Sequence, residues 1–187
     1  MFDLHRHYYC NGGFFMPKKI KKSLHFSPNP RRPMLSPEEA LKKLEYYCAY
    51  QERCHQEVAQ KLWHMGVPKQ EHDAMIARLI ERDFLNETRF AVQFSGGKFR
   101  TKKWGKERIE SALKARGISC WNIQHALGQI EENEYQTVFE QLFDRLFAKY
   151  QALPSHELQK KKIHEALRYR GWEADRIYSA LRELPLK

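Results

Sequence analysis

Apolar residues recur at helical spacing along most of the chain, and this recurrence itself repeats. Gly66, Gly117 and Gly171 each follow apolar residues placed four and eight positions earlier, and an apolar residue comes directly after each glycine. A glycine in the left-handed conformation ends many helices, and the apolar residue after it folds back onto the helix. The pattern therefore predicts an internal repeat of about fifty residues.

Each repeat is predicted to contain three short helices and no substantial β-structure. Ser36, Pro37 and Glu39 provide an N-cap, a proline at the first helical position and a capping box for the first helix. The segment 134–150 opens the third repeat with an apolar stripe over about four turns. The prediction is an all-α fold of three tandem three-helix repeats that form an elongated, curved body. The repeats are placed at 36–85, 86–132 and 133–187, behind a flexible, irregular and basic N-terminal arm at 1–35.

Positive charge is concentrated in two segments. The chain has a net charge of +10. Residues 1–34 contain seven Lys and Arg against one acidic residue, and residues 98–116 contain eight against two. The rest of the chain is close to neutral. A focused positive field favours a polyanionic or acidic partner.

Cysteine usage and hydropathy indicate where the protein acts. The four cysteines are scattered and form no CxxC pair, which favours a reducing compartment. No apolar run approaches the length of a membrane-spanning helix, and the first residues lack the apolar core of a secretory signal. We therefore expect a cytoplasmic protein without a membrane contact.

A nucleotide-binding loop is disfavoured at residues 95–98. Lys98 is followed by Phe99 instead of Ser or Thr, and the preceding segment is predicted to be helical, whereas such a loop follows a buried strand. We interpret Gly96 and Gly97 as a joint between two helices.

Metal binding and catalysis are also disfavoured. Two sets of side chains are candidate zinc ligands: His5, His7 and Cys10, and Cys48, Cys54 and His55. Neither set has the paired spacing of a zinc site, and Cys48 continues an apolar stripe, so packing in the core is favoured for it. The nearest approach to a nucleophile–base pair is Cys120 with His125. The nearest approach to a magnesium-binding cluster is the set of carboxylates Glu131, Glu132 and Glu134, for which a solvated surface is the simpler explanation. We predict no catalytic residue, no metal, no cofactor and no enzymatic activity.

Two stretches of the chain are distinctive: RDFLNETRFAVQF at 82–94, which crosses from the first repeat into the second, and KKWGKERIESALKARGIS at 102–119. Together with the tandem three-helix units, they resemble the RecX family, bacterial regulators of the RecA recombinase. The first matches the family pattern at Leu85, Asn86, Glu87, Arg89, Phe90 and Ala91, and the second at Gly105, Arg108, Ile109, Leu113, Gly117 and Ile118. Thr88 stands where the family often has an acidic residue. The resemblance covers residues 36–185.

The resemblance implies a function that the residue pattern alone does not. RecX-like proteins bind in the helical groove of the RecA–DNA filament, oppose its growth, and lower its ATPase, strand-exchange and SOS co-protease activities. They are not enzymes and need no cofactor of their own. The implied partners are the RecA filament on DNA and, through weak and salt-dependent contacts, the DNA phosphate backbone, and we expect a monomer. The alternative is a general DNA- or RNA-binding helical repeat protein without a recombinase partner.

The basic residues of the second and third repeats are the candidate binding residues. Arg108 and Lys114 flank the apolar stripe of their helix on opposite sides, so this helix has no single cationic face. Most of the positive charge lies before the helix and at its start, from Lys98 to Lys106. Cations there oppose the helix dipole, which favours a partner as the explanation. Trp104 either stacks on a base or packs at the start of this helix, and packing is favoured. The candidates are Lys98, Arg100, Lys102, Lys103, Trp104, Lys106, Arg108, Lys114 and Arg116, and, as a possible extension of the same surface, Lys160, Lys161, Lys162, Arg168 and Arg170.

Overall fold

The computed structural model describes residues 35–184, and every regular element in that range is an α-helix. The helices are α1 (Pro37–Tyr50), α2 (His55–His64), α3 (Lys69–Glu81), α4 (Glu87–Lys102), α5 (Lys106–Lys114), α6 (Cys120–Gly128), α7 (Glu132–Tyr150), α8 (His156–Tyr169) and α9 (Ala174–Arg182). They pack mainly within the triplets α1–α3, α4–α6 and α7–α9. The predicted all-α fold of three-helix repeats is confirmed.

The predicted basic arm lies outside the described residues except for Leu35. The candidate ligands His5, His7 and Cys10 also lie outside them. Helix α7 begins at Glu132, the last residue that the sequence assigned to the second repeat. The repeat bounds themselves stay a prediction.

Side-chain caps begin several helices, among them the cap at Ser36 that the sequence predicts. The Ser36 hydroxyl accepts a hydrogen bond from the Glu39 N–H at 3.2 Å, and the Glu39 carboxylate accepts one from the Ser36 N–H at 3.0 Å. This reciprocal pair is the capping box that the sequence predicted. Asn86, Ser119 and Ser155 cap α4, α6 and α8 in the simpler way, each through one side-chain oxygen.

The middle helix of each repeat ends in the same turn. Gly66, Gly117 and Gly171 have φ values of 77°, 75° and 76°, in the left-handed region. In each turn the N–H of the following apolar residue donates to a carbonyl five residues earlier, as Ile118 does to Leu113 at 3.2 Å. This is a Schellman motif, and the predicted glycine caps are confirmed.

The interpretation of Gly96 and Gly97 as a joint between helices is wrong. Both lie inside α4, which continues without a break to Lys102. The buried residues Phe90 and Phe99 lie on either side of the glycines and keep the helix docked on the core. The helix ends instead at Lys103, which adopts the left-handed conformation with φ 54°.

Two separate hydrophobic cores support the three repeats. One core belongs to the first repeat and includes Leu44, Leu62 and Leu79. The other extends through the second and third repeats, from Phe90 to Leu181. Cys54, the residue before α2, is buried in this second core and so links the first repeat to it.

The second and third repeats meet where the start of α5 contacts the end of α8. The Gly105 N–H donates to the Arg170 carbonyl at 2.8 Å. A Cβ atom on Gly105 would lie 2.7 Å from the Trp172 nitrogen, and one on Gly171 would lie 2.8 Å from the Cα of Arg108. The two backbones can approach this closely because neither glycine has a side chain.

Aromatic rings cover this contact. The Trp172 indole N–H donates to the Lys103 carbonyl at 3.1 Å, and its ring lies 4.5 Å from that of Tyr135. The Tyr135 hydroxyl donates to Glu173 at 2.8 Å and accepts from the Lys106 N–H at 3.0 Å. Burial raises the pKa of Tyr135, so this hydroxyl stays a donor. The junction is thus held by backbone contact, ring packing and satisfied polar groups.

Two of the described cysteines, Cys48 and Cys54, are buried and pack in the cores, whereas Cys120 is exposed. Burial raises the pKa of Cys48 to about 11, and it also raises the pKa of Cys54. Between residues 35 and 184, no three His, Cys, Asp or Glu side chains come together in a way that could hold a metal ion. None of the described helices is long and apolar enough to cross a membrane.

The junction yields a prediction about stability. Gly117→Ala should lower the free energy of unfolding by about 1–2 kcal/mol, because alanine is strained in the left-handed conformation. Gly171→Ala should lower it by about 3–5 kcal/mol, because its Cβ also collides with Arg108. The two glycines have nearly the same φ, so each variant is the control for the other. Urea denaturation measures both, and equal losses would contradict a tight contact at Gly171.

Candidate polyanion-binding surface

Most of the basic residues before α5 belong to the end of α4. Lys98, Arg100 and Lys102 lie in the last two turns of that helix. Arg100 and Lys102 are in the last turn, where a cation interacts favourably with the helix dipole, so the expectation that they oppose it is wrong. Lys98 lies one turn earlier and is not at a helix start either. Only Lys106 occupies a helix N-terminus, and its ammonium pairs with Glu132 at 3.0 Å. The charge density therefore has a local explanation that the sequence did not reveal, because the end of α4 was misplaced.

Cations and aromatic rings alternate across the surface where α4, α5 and α8 meet. We call this set the cation–aromatic row, and it consists in spatial order of Arg116, Phe94, Lys98, Trp104, Arg108 and Tyr169. The Arg116 guanidinium lies 4.7 Å from the centre of the Phe94 ring. The Lys98 ammonium lies 5.2 Å from Phe94 and 5.6 Å from Trp104. The Arg108 guanidinium lies between two rings, 4.3 Å from Trp104 and 4.5 Å from Tyr169.

The fold brings the row together from three helices. Phe94 and Lys98 are four residues apart on α4 and therefore share a face. Arg108 lies in the first turn of α5, and its guanidinium donates to the carbonyl of Tyr169 at the end of α8. This contact is possible because Gly105 and Gly171 let the two helix ends touch.

Trp104 is half-buried and packs against the core shared by the second and third repeats. Its ring meets that of Phe94 edge to face at 6.5 Å. This agrees with the favoured packing interpretation. Since Lys98 and Arg108 lie over its ring, Trp104 positions cations in addition to filling space.

Several candidate cations already have partners within the chain. Acidic side chains pair with Arg100, Lys106, Lys114, Lys162 and Arg168, through Glu134, Glu132, Glu110, Glu165 and Glu107 respectively, at 2.6–3.1 Å. Hydrogen bonds from Lys106 and Arg176 lower the pKa of Glu132. Exposed pairs of this kind contribute about 0–1 kcal/mol each, so a phosphate could replace the carboxylate at little cost. They still reduce the positive field that the sequence suggested.

Arg116 and Arg170 occupy equivalent places before the glycines of the second and third repeats. Each donates to the carbonyl four residues earlier in its own helix, to Ala112 at 2.7 Å and to Ala166 at 2.8 Å. A cation that hydrogen-bonds the last carbonyls of a helix stabilises its end. Both arginines therefore have a structural role in addition to any contact with a partner.

The candidate residues of the third repeat divide into two places. Arg168 and Arg170 lie at the end of α8, against α5, close to the cation–aromatic row. Lys160 and Lys161 instead line a shallow groove with His164 and Tyr178. The fold thus brings Arg168 and Arg170 to the second repeat, whereas Lys160, Lys161 and Lys162 lie earlier on α8.

Among the ion pairs of the described residues, some candidate cations do not take part. They are Lys98, Lys102, Lys103, Arg108, Arg116, Lys160, Lys161 and Arg170. Sequence reasoning missed two members of the row, Phe94 and Tyr169. Phe94 lies four residues before Lys98 and could have been found by helical spacing, but the approach of Tyr169 to Arg108 depends on the contact between repeats.

Comparison with known proteins gives matches to one family. A family model described as "RecX, second three-helix domain" matches residues 86–127, which contain the row except for Tyr169. "Regulatory protein RecX" of Pseudomonas savastanoi pv. phaseolicola is 31% identical over 121 residues, covering 65% of this chain and 76% of that protein. "Regulatory protein RecX" of Lactobacillus gasseri is 28% identical over 141 residues. That match covers 75% of this chain but only 52% of the relative, so the chain spans about half of that relative's length.

Solved structures show the same fold. The crystal structure of RecX from Lactobacillus salivarius superposes with a TM-score of 0.68 at 23% identity, over 79% of this chain and 95% of that one. A second one, titled "Crystal structure of regulatory protein RecX", also gives 0.68, at 19% identity. At these identities the likeness extends to the fold alone.

The geometry of the row predicts the effect of removing its cations on any binding to a polyanion. Lys98→Gln combined with Arg108→Gln should weaken binding to duplex DNA about equally for all sequences, because phosphate contacts carry no sequence information. The slope of log affinity against log salt should fall by about 0.9 for each phosphate that the variant no longer neutralises. Fluorescence anisotropy over a salt series measures both.

A matched control makes the same charge change elsewhere. Lys69→Gln with Arg78→Gln removes one exposed Lys and one exposed Arg from α3 of the first repeat. This variant should bind DNA nearly as the unchanged chain does. If the control lost as much affinity as the row variant, binding would depend on net charge and not on the row.

Proposed function

The chain belongs to the RecX family, and we propose that it is a non-enzymatic regulator that binds the RecA–DNA filament and inhibits the recombinase. Its inhibition would extend to the ATPase, strand-exchange and SOS co-protease activities of RecA, and so to DNA repair and homologous recombination. The proposal requires no cofactor and places the chain in the cytoplasm, as a monomer, where RecA acts on chromosomal DNA.

The observation that carries the proposal is the cation–aromatic row. Four aromatic or cationic side chains in the centre of the row, from Phe94 to Arg108, belong to the segment that matches the family model. Such a surface suits the phosphates of a DNA filament and acidic groups on a protein that coats it. Arg108 is held between two rings, so little side-chain entropy is lost when it meets an anion.

The helical scaffold supports the same mode of action. The second and third repeats share one core, so the row and the flanking Arg168 and Arg170 form part of one continuous body. A regulator that lies along a filament needs its contacts held at fixed spacing across repeats. Inhibition would then follow from occupation of the filament surface, without a chemical step.

DNA-dependent ATP hydrolysis by the cognate RecA tests the proposal. Addition of the chain at ratios well below one per RecA should inhibit hydrolysis, because one bound regulator affects growth of a whole filament. Lys98→Gln with Arg108→Gln should shift the inhibition curve to higher concentrations by about tenfold or more, because each charge-assisted hydrogen bond to the filament contributes about 1 kcal/mol. The control Lys69→Gln with Arg78→Gln should leave the curve in place.

The alternative function, a general DNA- or RNA-binding protein, predicts a different curve. Hydrolysis would then fall only when enough protein is present to coat the DNA, and an excess of free DNA would abolish the effect. This outcome would overturn the proposal of a RecA regulator. Inhibition that is unchanged in the row variant would keep the regulator but remove the row as its binding site.

A further inference from the structure

A second surface with aromatic and basic side chains lies on the first repeat, which has its own hydrophobic core. An open groove of about 700 Å³ runs between α1 and α2. We call it the tyrosine groove, and it is lined chiefly by Lys42, Lys43, Tyr46, Tyr47, Tyr50 and Lys61. No residue of this groove belongs to the candidate surface of the second and third repeats.

Two of the tyrosines have no role in the core. Helix α1 buries Ala40, Leu41, Leu44 and Cys48, and at helical spacing Tyr46 and Tyr50 lie on the side away from these residues. Tyr46 is 75% exposed and Tyr50 is 78% exposed. They are four residues apart, so their rings emerge on the same face of the helix, about 5–6 Å apart at Cβ. Neighbouring exposed rings that do not serve the fold indicate a binding surface.

The charge around the rings is positive. Arg53 lies 4.1 Å and Lys61 lies 5.3 Å from the centre of the Tyr47 ring, which forms the floor of the groove. The ion pairs of residues 35–184 include neither Lys42, Lys43 nor Lys61. Two carboxylates lie nearby: Glu39 accepts from the Ser36 N–H and interacts with Lys42 and Lys43, and Glu57 accepts from the Cys54 N–H. The four cations Lys42, Lys43, Arg53 and Lys61 outnumber them.

This combination favours one class of occupant. Flat aromatic faces beside lysines are the elements with which proteins hold single-stranded nucleic acid, through base stacking and phosphate contacts. The bases of a duplex are already stacked and could not reach Tyr46 or Tyr50. An acidic peptide would use the lysines but would gain less from the two rings. Residues 1–34 are themselves strongly basic, so charge repulsion disfavours them as occupants.

We propose that the tyrosine groove is a binding site for single-stranded DNA, with bases stacked on Tyr46 and Tyr50 and phosphates contacting Lys42, Lys43 and Lys61. The site involves no recombinase and therefore does not rest on the proposed function. It gives the chain two nucleic-acid-facing surfaces on two separate cores, the groove for unpaired bases and the row for phosphates.

Binding of fluorescein-labelled oligo(dT) to the full chain tests the proposal. Tyr46→Ala with Tyr50→Ala should weaken the affinity at least about tenfold, because loss of base stacking on one ring alone can reduce affinity that much. Tyr46→Phe with Tyr50→Phe should bind nearly as the unchanged chain does, since phenylalanine keeps the stacking face. Both tyrosines are exposed, so thermal melting should be the same for all three proteins.

A matched control removes exposed aromatic rings elsewhere. Trp63 is 52% exposed and Trp121 is 68% exposed, and neither lines the tyrosine groove. Trp63→Ala with Trp121→Ala should leave oligo(dT) affinity within about twofold. An equal loss in this control, or no loss in the groove variant, would overturn the proposal.

Competition experiments separate stacking from charge. An abasic oligonucleotide and poly-glutamate should each displace labelled oligo(dT) at least about tenfold less well than unlabelled oligo(dT) does. Equal competition by the abasic strand would show that only phosphates are recognised, and equal competition by poly-glutamate would show a site for acidic protein. Either result would overturn the proposal.

The lysines give an independent readout. Lys42→Gln, Lys43→Gln and Lys61→Gln together should lower the salt slope for oligo(dT) by about two, at about 0.7 for each phosphate contact. An unchanged slope would contradict their role. These assays contain no RecA, so their failure would leave the regulator proposal untouched, and a failure to inhibit RecA would leave the groove untouched.

Discussion

The contact between Gly105 and Gly171 determines how the second and third repeats are joined. A hydrogen bond from the Gly105 N–H to the Arg170 carbonyl fixes the start of α5 against the end of α8. Any side chain at either glycine would push the helices apart. This approach places Arg108 beside Tyr169 and lets Trp172 reach the Lys103 carbonyl. The scaffold and the cation–aromatic row therefore depend on the same backbone contact.

The first repeat is attached differently. Its glycine, Gly66, has open space around the position of a Cβ atom, and its core is separate from that of the other two repeats. The link runs through buried Cys54 and through ion pairs such as Arg89 with Glu52 at 2.8 Å. The tyrosine groove thus lies on a unit with its own core, whereas the row lies across a shared one. The two proposed binding surfaces lie on different cores, so mutations can alter each of them independently.

The sequence predicted what depends on local chemistry. The capping box of Ser36 and Glu39 and the glycine turns follow from hydrogen bonds within a few residues, and they were found at the predicted positions. Gly96 and Gly97 were misjudged because glycine usually breaks helices, whereas here the buried rings of Phe90 and Phe99 hold α4 together on both sides. Tertiary packing outweighed a propensity cost of about 1 kcal/mol per glycine.

For the candidate site, too, the sequence predicted local features and missed those that depend on the tertiary fold. The basic residues were found from charge alone, but the misplaced end of α4 gave them the wrong electrostatic explanation. Acidic partners such as Glu134 come from a helix more than thirty residues away, and helical spacing within one segment could not identify them. Tyr169 joins the row only through the fold.

The central claim is that the cation–aromatic row faces the filament. A cryo-electron microscopy reconstruction of the chain bound to the cognate RecA filament on single-stranded DNA would test it most directly. The account predicts that Lys98, Arg108 and Tyr169 lie within hydrogen-bond or van der Waals distance of DNA phosphates or acidic RecA side chains. A reconstruction in which the chain is bound and this surface faces solvent would contradict it.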